Sequence, residues 1–350
     1  METAIVFKIG LLTICSFGLA LALTPLLLYF LRKYKLGKQI RDAKSAPIFA
    51  GLHANKAGTP TMGGIIIWLS VTLLALGIFA LNLLADDANI FTRLNFLTRS
   101  QTLLPFGALL LAAAIGFFDD LLGIKKLGSK GGGLDMKIKI VSYSLIAIIC
   151  AAWFYFKLDW DTVYVPFVGN FAIGWWFLPA AFLVIVATAF SVNETDGLDG
   201  LVGGTLICAY AAVGAIAFTQ GKFDLAAFCG AIIGASIAFL WFNIFPAKFF
   251  MGDTGAMSLG IVLALIALYT NTILLLPIIG FVFVVEALSV LVQILSKKIR
   301  KKKIFLSTPI HHHLQAIGWA EPKIVMRFWL ISGIAAVAGV IIFLIDKGWY

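Results

Sequence analysis

Ten apolar stretches, at about residues 6–31, 63–84, 103–118, 138–156, 172–190, 201–218, 226–245, 257–273, 274–295 and 324–345, are each long enough to cross a lipid bilayer, or nearly so. Only Thr270, Asn271 and Thr272 separate the eighth from the ninth. Inside hydrocarbon a backbone has no water to bond, so each stretch must satisfy its own amides and therefore be a helix. The composition agrees, with 61% of residues hydrophobic and 13% charged, more apolar surface than a soluble domain can hide. The expected fold is an all-α, polytopic membrane helix bundle of about ten transmembrane helices, a single domain over residues 1–350. Cys15, Cys150, Cys208 and Cys229 all fall inside apolar runs without ligand spacing and read as small core residues. The first stretch carries no convincing cleavage signature and is expected to be a retained helix.

Charge orients the bundle. The segments 32–62, 119–139, 246–256 and 296–327 hold 7, 5, 1 and 8 Lys and Arg, against 6 on the opposite side out of 27 in all. The positive-inside rule then puts both termini outside and these loops in the cytoplasm. Each conspicuous polar cluster falls on that same cytoplasmic face: around Lys56, at Asp119–Asp120, at Asn193–Asp199, at Asn243–Asp253 and at His311–His313. Dispersed clusters converging on one face are the pattern of a composite active site.

The densest cluster is FSVNETDGLDGLVGG, Phe190 to Gly204, with Asn193, Glu194, Asp196 and Asp199 interleaved with Gly197 and Gly200. Acids at the mouth of membrane helices are costly unless they bind something, and the glycines let the backbone turn tightly beside a ligand. An EF-hand loop does not fit, because Gly197 falls at a ligand position and the closing Glu is missing. Asp119 and Asp120, in GFFDDLLG, are expected to end the third helix. Adjacent carboxylates repel one another, and acids at a helix C-terminus oppose its dipole, so metal binding or acid/base work outweighs a merely solvated helix end. Asp253, in FFMGDTGAMSLG, would by default cap the following helix. Asn243 and Lys248 add an amide and a cation to the same loop, and Phe249 and Phe250 offer rings on which a base could stack.

His311, His312 and His313 cannot all face one metal from a helix, which favours phosphate contact and proton transfer over a zinc site. The run Lys297 to Lys303, KKIRKKK, reads first as a collar on anionic lipid, with capture of an anionic substrate as the alternative. Glu286 lies deep in the ninth stretch, paired either within the bundle or at an oligomer interface.

Taken in order, AGTPTMGG, GFFDD, NETDGLDGL, FNIFPAKFFMGDTG and PIHHHLQ resemble the phospho-N-acetylmuramoyl-pentapeptide transferases along nearly the whole chain. The wider superfamily moves a sugar 1-phosphate from a UDP-sugar to a polyprenyl phosphate, and the intact HHH, KAGTPTMGG and GWAEPKIVMRFW point to the muramoyl-pentapeptide branch. The resemblance implies a transferase of the bacterial inner membrane. Its substrates would be UDP-MurNAc-pentapeptide and undecaprenyl phosphate and its products lipid I and UMP, with Mg2+ as cofactor, a homodimeric assembly in the lipid bilayer and no nucleic acid. It further implies that Asp253 ligates Mg2+ with Asp119 or Asp120, and that Asp119 acts on the polyprenyl phosphate. Asn193, Asp196 and Asp199 would line the nucleotide and sugar site, Phe250 would stack on uracil and Asn243 would add a polar contact. Lys56, Thr61 and the His triplet would hold phosphates or the leaving group.

Three positions depart from the family pattern: Gly123 where a Lys is common, Glu194 where a Leu is common, and Gln315 in place of Glu, with Lys125, Lys126 and Lys130 near enough to compensate for the first. Two other functions compete. A polyprenyl-phosphate GlcNAc-1-phosphate transferase shares the aspartate motifs but usually interrupts the His triplet. A cation transporter would place its ionisable groups near the bilayer midplane, where only Glu286 lies.

Overall fold

A computed structural model gives the fold over residues 2–37, 56, 58–84, 90–125, 127 and 133–348. Lys126 and Lys130 lie outside the described residues. In chain order the elements are α1 (Glu2–Lys33), α2 (Ile65–Leu84), the short α3 (Ile90–Leu94), α4 (Leu103–Ile124) and α5 (Met136–Lys157). A hairpin of β1 (Thr162–Val165) and β2 (Gly169–Ala172) follows, then α6 (Phe177–Thr195), α7 (Leu201–Thr219), α8 (Phe223–Asn243) and α9 (Asp253–Tyr269). The chain closes with α10 (Leu276–Ile279), α11 (Phe281–Ile299), α12 (Ile310–Ala316) and α13 (Glu321–Asp346).

The protein is an all-α membrane bundle, with 8 helices among the described residues long and apolar enough to cross a bilayer. The other two expected spans are real helices of a different kind. α9 has only 17 residues, and the ninth span is broken at Gly280, after Pro277, into α10 and α11, the latter carrying Glu286, Lys297 and Lys298. Thr270–Thr272 do form the turn between them, with Asn271 at a φ of 51°. The hairpin was not foreseen. Its alternating Thr162, Val163, Tyr164 and Val165 suit a half-buried strand, and it packs on the outer end of α13, where the Tyr164 hydroxyl and the Phe167 N–H both donate to Asp346.

α9 is the axis of the molecule. Every residue from Thr254 to Tyr269 is buried, as expected of a helix apolar on all sides, and α4, α6 and α7 pack around it. Small residues let the backbones nearly touch. At Gly116 in α4 a Cβ would lie 2.5 Å from the Thr254 nitrogen, and the Thr254 hydroxyl donates to the Ala113 carbonyl at 2.9 Å. This contact lies one turn from Asp119 and Asp120, so the packing of α4 on α9 itself brings the aspartate pair to Asp253.

Candidate active site

The carboxylates of Asp119, Asp120 and Asp253 each offer an oxygen within 4.8 Å of the others. Two helices deliver them. Asp119 and Asp120 were expected at the end of a helix, but α4 continues through Leu121 and Leu122 to Ile124, so the pair sits inside its last turns. Asp253 is the first residue of α9, aimed by Gly252, whose φ of 75° is left-handed and open mainly to glycine.

The two adjacent aspartates do different things. Asp120 accepts the backbone N–H groups of Asp253 at 3.2 Å and Thr254 at 3.1 Å, capping α9 from a neighbouring helix. Asp119, almost fully buried, accepts the Leu134 N–H at 2.6 Å and faces Lys139. The Lys139 ammonium bridges Asp119 and Asp253 at 2.6 Å each. Asn193 donates to the second Asp253 oxygen at 2.9 Å, and Asp196 accepts the Gly252 N–H at 3.0 Å. Asn193 and Glu194 were expected in a loop; they belong to the last turn of α6, which runs on to Thr195 because nothing before Gly197 breaks it.

A second cluster adjoins the first along the same two loops. Lys56 reaches Asp199 at 2.6 Å and Glu321, at the start of α13, at 2.5 Å. The Asp199 N–H donates to the same Glu321 oxygen at 2.7 Å, and the other Asp199 oxygen accepts the Ala247 N–H at 3.0 Å. Phe250 lies beside this cluster, its ring centroid 5.8 Å from the Lys56 nitrogen. The segment holding Thr61 pairs with the loop at Phe250: Phe250 N–H donates to the Pro60 carbonyl at 2.9 Å, and Gly63 N–H to the Phe250 carbonyl at 2.7 Å. Thr61 itself is buried and donates its N–H to the Leu36 carbonyl at 3.0 Å. The Asn243 amide is buried, with its oxygen on the Gly200 N–H at 3.0 Å and its nitrogen on the Phe249 carbonyl at 2.8 Å. It latches the two loops together.

The three histidines diverge on α12. His311 is fully buried, its Nδ1 2.9 Å from Glu286, which places that acid's partner within the bundle. Its Nε2 abuts Gly197 so closely that no Cβ would fit. Burial, with the Lys56 charge nearby, pushes this imidazole down to about 3. His312 bonds Gln315 at 2.9 Å, so the glutamine that departs from the family pattern serves as the imidazole's partner. His313 accepts the Leu306 N–H at 3.3 Å and stands edge-on to Phe305. Beyond them, none of the cations in Lys297–Lys303 pairs with a carboxylate among the described residues, while Gln293 and Ser296 of α11 tie down the backbone at 302–305.

Lys56, Asp119, Asp120, Asn193, Asp196, Asp199, Phe250, Asp253 and His311 thus gather at one end of the bundle. Lys139 and Glu321 join them without having been singled out from the sequence. Lys139 is one cation among many in a basic segment, and Glu321 is an ordinary first-turn acid; only the fold brings them to their partners.

Comparison with known proteins agrees with the geometry. The description "glycosyl transferase family 4" matches residues 102–271, and "phospho-N-acetylmuramoyl-pentapeptide-transferase signature 1" matches residues 56–67. A phospho-N-acetylmuramoyl-pentapeptide-transferase of Chloroflexus aggregans is 38% identical over 348 residues, covering 96% of this chain and 89% of the relative. Similarly named proteins of Bacillus pumilus and Bacillus anthracis are 38% and 39% identical, over 98% and 93% of this chain and 98% and 95% of their own lengths.

Proposed function

The chain belongs to the phospho-N-acetylmuramoyl-pentapeptide-transferase family, and on that premise we propose how its residues share the work. The protein is a multi-pass enzyme of the bacterial inner membrane that transfers phospho-MurNAc-pentapeptide from UDP-MurNAc-pentapeptide to a polyprenyl phosphate in peptidoglycan synthesis. We take the acceptor to be undecaprenyl phosphate, the products to be lipid I and UMP, and the assembly to be a homodimer.

The observation that carries the assignment of roles is the meeting of Asp119, Asp120 and Asp253 within 4.8 Å. Both substrates are anions, and three carboxylates alone would repel them. Carboxylate oxygens suit a hard divalent cation, and the Lys139 ammonium bridging Asp119 and Asp253 shows that their oxygens are spaced to share a positive charge. Asp253 and Asp119 would hold Mg2+, with Asp120 contributing a lone pair not used on the α9 amides. Bound there, the ion would supply charge stabilisation for phosphoryl transfer.

The chain's own groups do the rest. Asn193 fixes the Asp253 carboxylate through its second oxygen. Asp119 orients the acceptor phosphate, or takes a proton from it. Lys139, between Asp119 and Asp253, offers its charge to whichever phosphate approaches. Lys56, Asp199 and Phe250 receive the nucleotide end of the donor, the ring offering a stacking face. His311, neutral and turned by Glu286, presents Nε2 toward the loop at Gly197.

The test is UMP release from UDP-MurNAc-pentapeptide and undecaprenyl phosphate by purified protein, with and without Mg2+, beside Asp253→Ala. Release that needs the metal and vanishes in the variant is expected. Release with UDP-GlcNAc alone, or full turnover by Asp253→Ala, would refute the assignment.

A further inference from the structure

We infer that Glu321 is a positioning residue of the donor-binding pocket, acting through Lys56 and Asp199. The inference rests on the reading that those two residues contact UDP-MurNAc-pentapeptide.

One carboxylate oxygen of Glu321 makes both contacts, accepting the Lys56 ammonium at 2.5 Å and the Asp199 N–H at 2.7 Å. Its partners lie 265 and 122 residues away in sequence. The Glu321 side chain is 9% exposed and that of Asp199 4%, so neither bond is readily replaced by water. Lysine carries a long flexible stem that costs entropy to hold in one place. With Asp199 alone, the ammonium could swing about a single partner; with Glu321 it is gripped from two sides. Two acids around one base leave the group with a net negative charge, the wrong sign for seating a phosphate. It is suited instead to holding a fixed donor, Lys56, beside a fixed acceptor, Asp199, for a polar uncharged part of the ligand.

A purely structural role, fastening α13 to the bundle, is the plain competitor. The fold has other fasteners for that. Trp329 of α13 donates its indole N–H to the Gly200 carbonyl at 3.0 Å. Ile324 and Val325 bury themselves against Leu198 and Leu201. Removing the Glu321 carboxylate therefore leaves α13 in place and frees Lys56.

Steady-state UMP release, with each substrate varied in turn, separates the two. Glu321→Ala is expected to raise KM for UDP-MurNAc-pentapeptide about tenfold, the loss expected for a hydrogen bond to a charged group. The KM for undecaprenyl phosphate and kcat should stay within about twofold. Glu321→Gln, whose amide oxygen still accepts both bonds, should recover most of the loss. Glu321→Asp keeps the charge but is too short to reach both partners, and should behave like alanine. In a Lys56→Met background Glu321→Ala should add less than about twofold, because coupled neighbours are not additive. A fall in kcat alone, a matched rise in both KM values, glutamine no better than alanine, or full additivity with Lys56→Met would each overturn the inference. Wild-type protein that releases no UMP would refute the functional reading itself; wild-type turnover with an unaffected Glu321→Ala would refute only the positioning role.

Discussion

Asp120 caps the helix that begins at Asp253, its Oδ1 accepting the Asp253 N–H at 3.2 Å. Of two adjacent aspartates, one is thus committed to holding the other helix while its neighbour faces the open cluster. Substituting them should separate stability from activity. Asp120→Ala is expected to lower stability by about 1 kcal/mol or more, the usual cost of a lost cap, and to impair turnover. Asp119→Ala is expected to abolish turnover with little change in thermal unfolding, since it also removes a like charge. Thermal denaturation in detergent beside UMP release reads both.

Lys139 stands between Asp119 and Asp253 where a metal ion would share the same oxygens. Lys139→Met removes that competing charge. It should lower the Mg2+ concentration needed for half-maximal activity while reducing maximal turnover at least about tenfold, the loss of a charge-assisted contact. A magnesium titration of both proteins checks the two effects together. EDTA should silence the wild type, and added Mg2+ should restore it.

Gly116 permits a close approach of α4 to α9, where a Cβ would lie 2.5 Å from the Thr254 nitrogen. Gly116→Val should cost about 1–3 kcal/mol through overpacking and move Asp119 and Asp120 away from Asp253, so activity should fall further than stability alone requires. Gly107→Val supplies the control, because a Cβ at that position of the same helix would meet nothing within 4 Å.

His311 confers a pH dependence on folding. Its imidazole is held down to about 3 by burial and by Lys56, with Glu286 as its facing acid, whereas the unfolded chain takes up the proton near 6.5. Between those values the unfolded state binds more protons at this side chain, so the His311 contribution to stability rises with pH across the window and is lost as pH falls through it. Unfolding temperatures at pH 8, 6.5 and 5 should show wild type losing stability relative to His311→Gln as pH falls, a difference in which the groups common to both proteins cancel.

Much of this architecture is legible in the chain because membrane helices announce themselves by length and apolarity alone. The helices lie within a few residues of the apolar stretches, and Asp119, Asp253, Asn193 and Asp199 stand out because an acid or amide in apolar surroundings needs a reason. What could not be read was partnership. Nothing near Lys139 distinguishes it from Lys137, and Glu321 looks like any first-turn acid. The contrast between Asp119 and Asp120 also escapes, since only the angle between α4 and α9 decides which of two neighbours meets the amides. Asn243 shows the converse: conspicuous in sequence, it proves to be a latch between loops. The hairpin at Thr162–Ala172 was missed because two four-residue strands carry little pattern beside long apolar runs.

The shortness of α9 sets the depth of the chemistry. Its 17 residues extend roughly 25 Å at about 1.5 Å each, against a hydrocarbon layer of about 30 Å. A helix level with one surface at Tyr269 therefore begins, at Asp253, some 5 Å beneath the other. On that reckoning the acids wait just inside the hydrocarbon edge, a short step below the level at which a lipid's phosphate rides. An acceptor with a long hydrocarbon tail can then reach them from within the leaflet by a small inward shift of its phosphate, while the water-soluble donor has to descend through the headgroups.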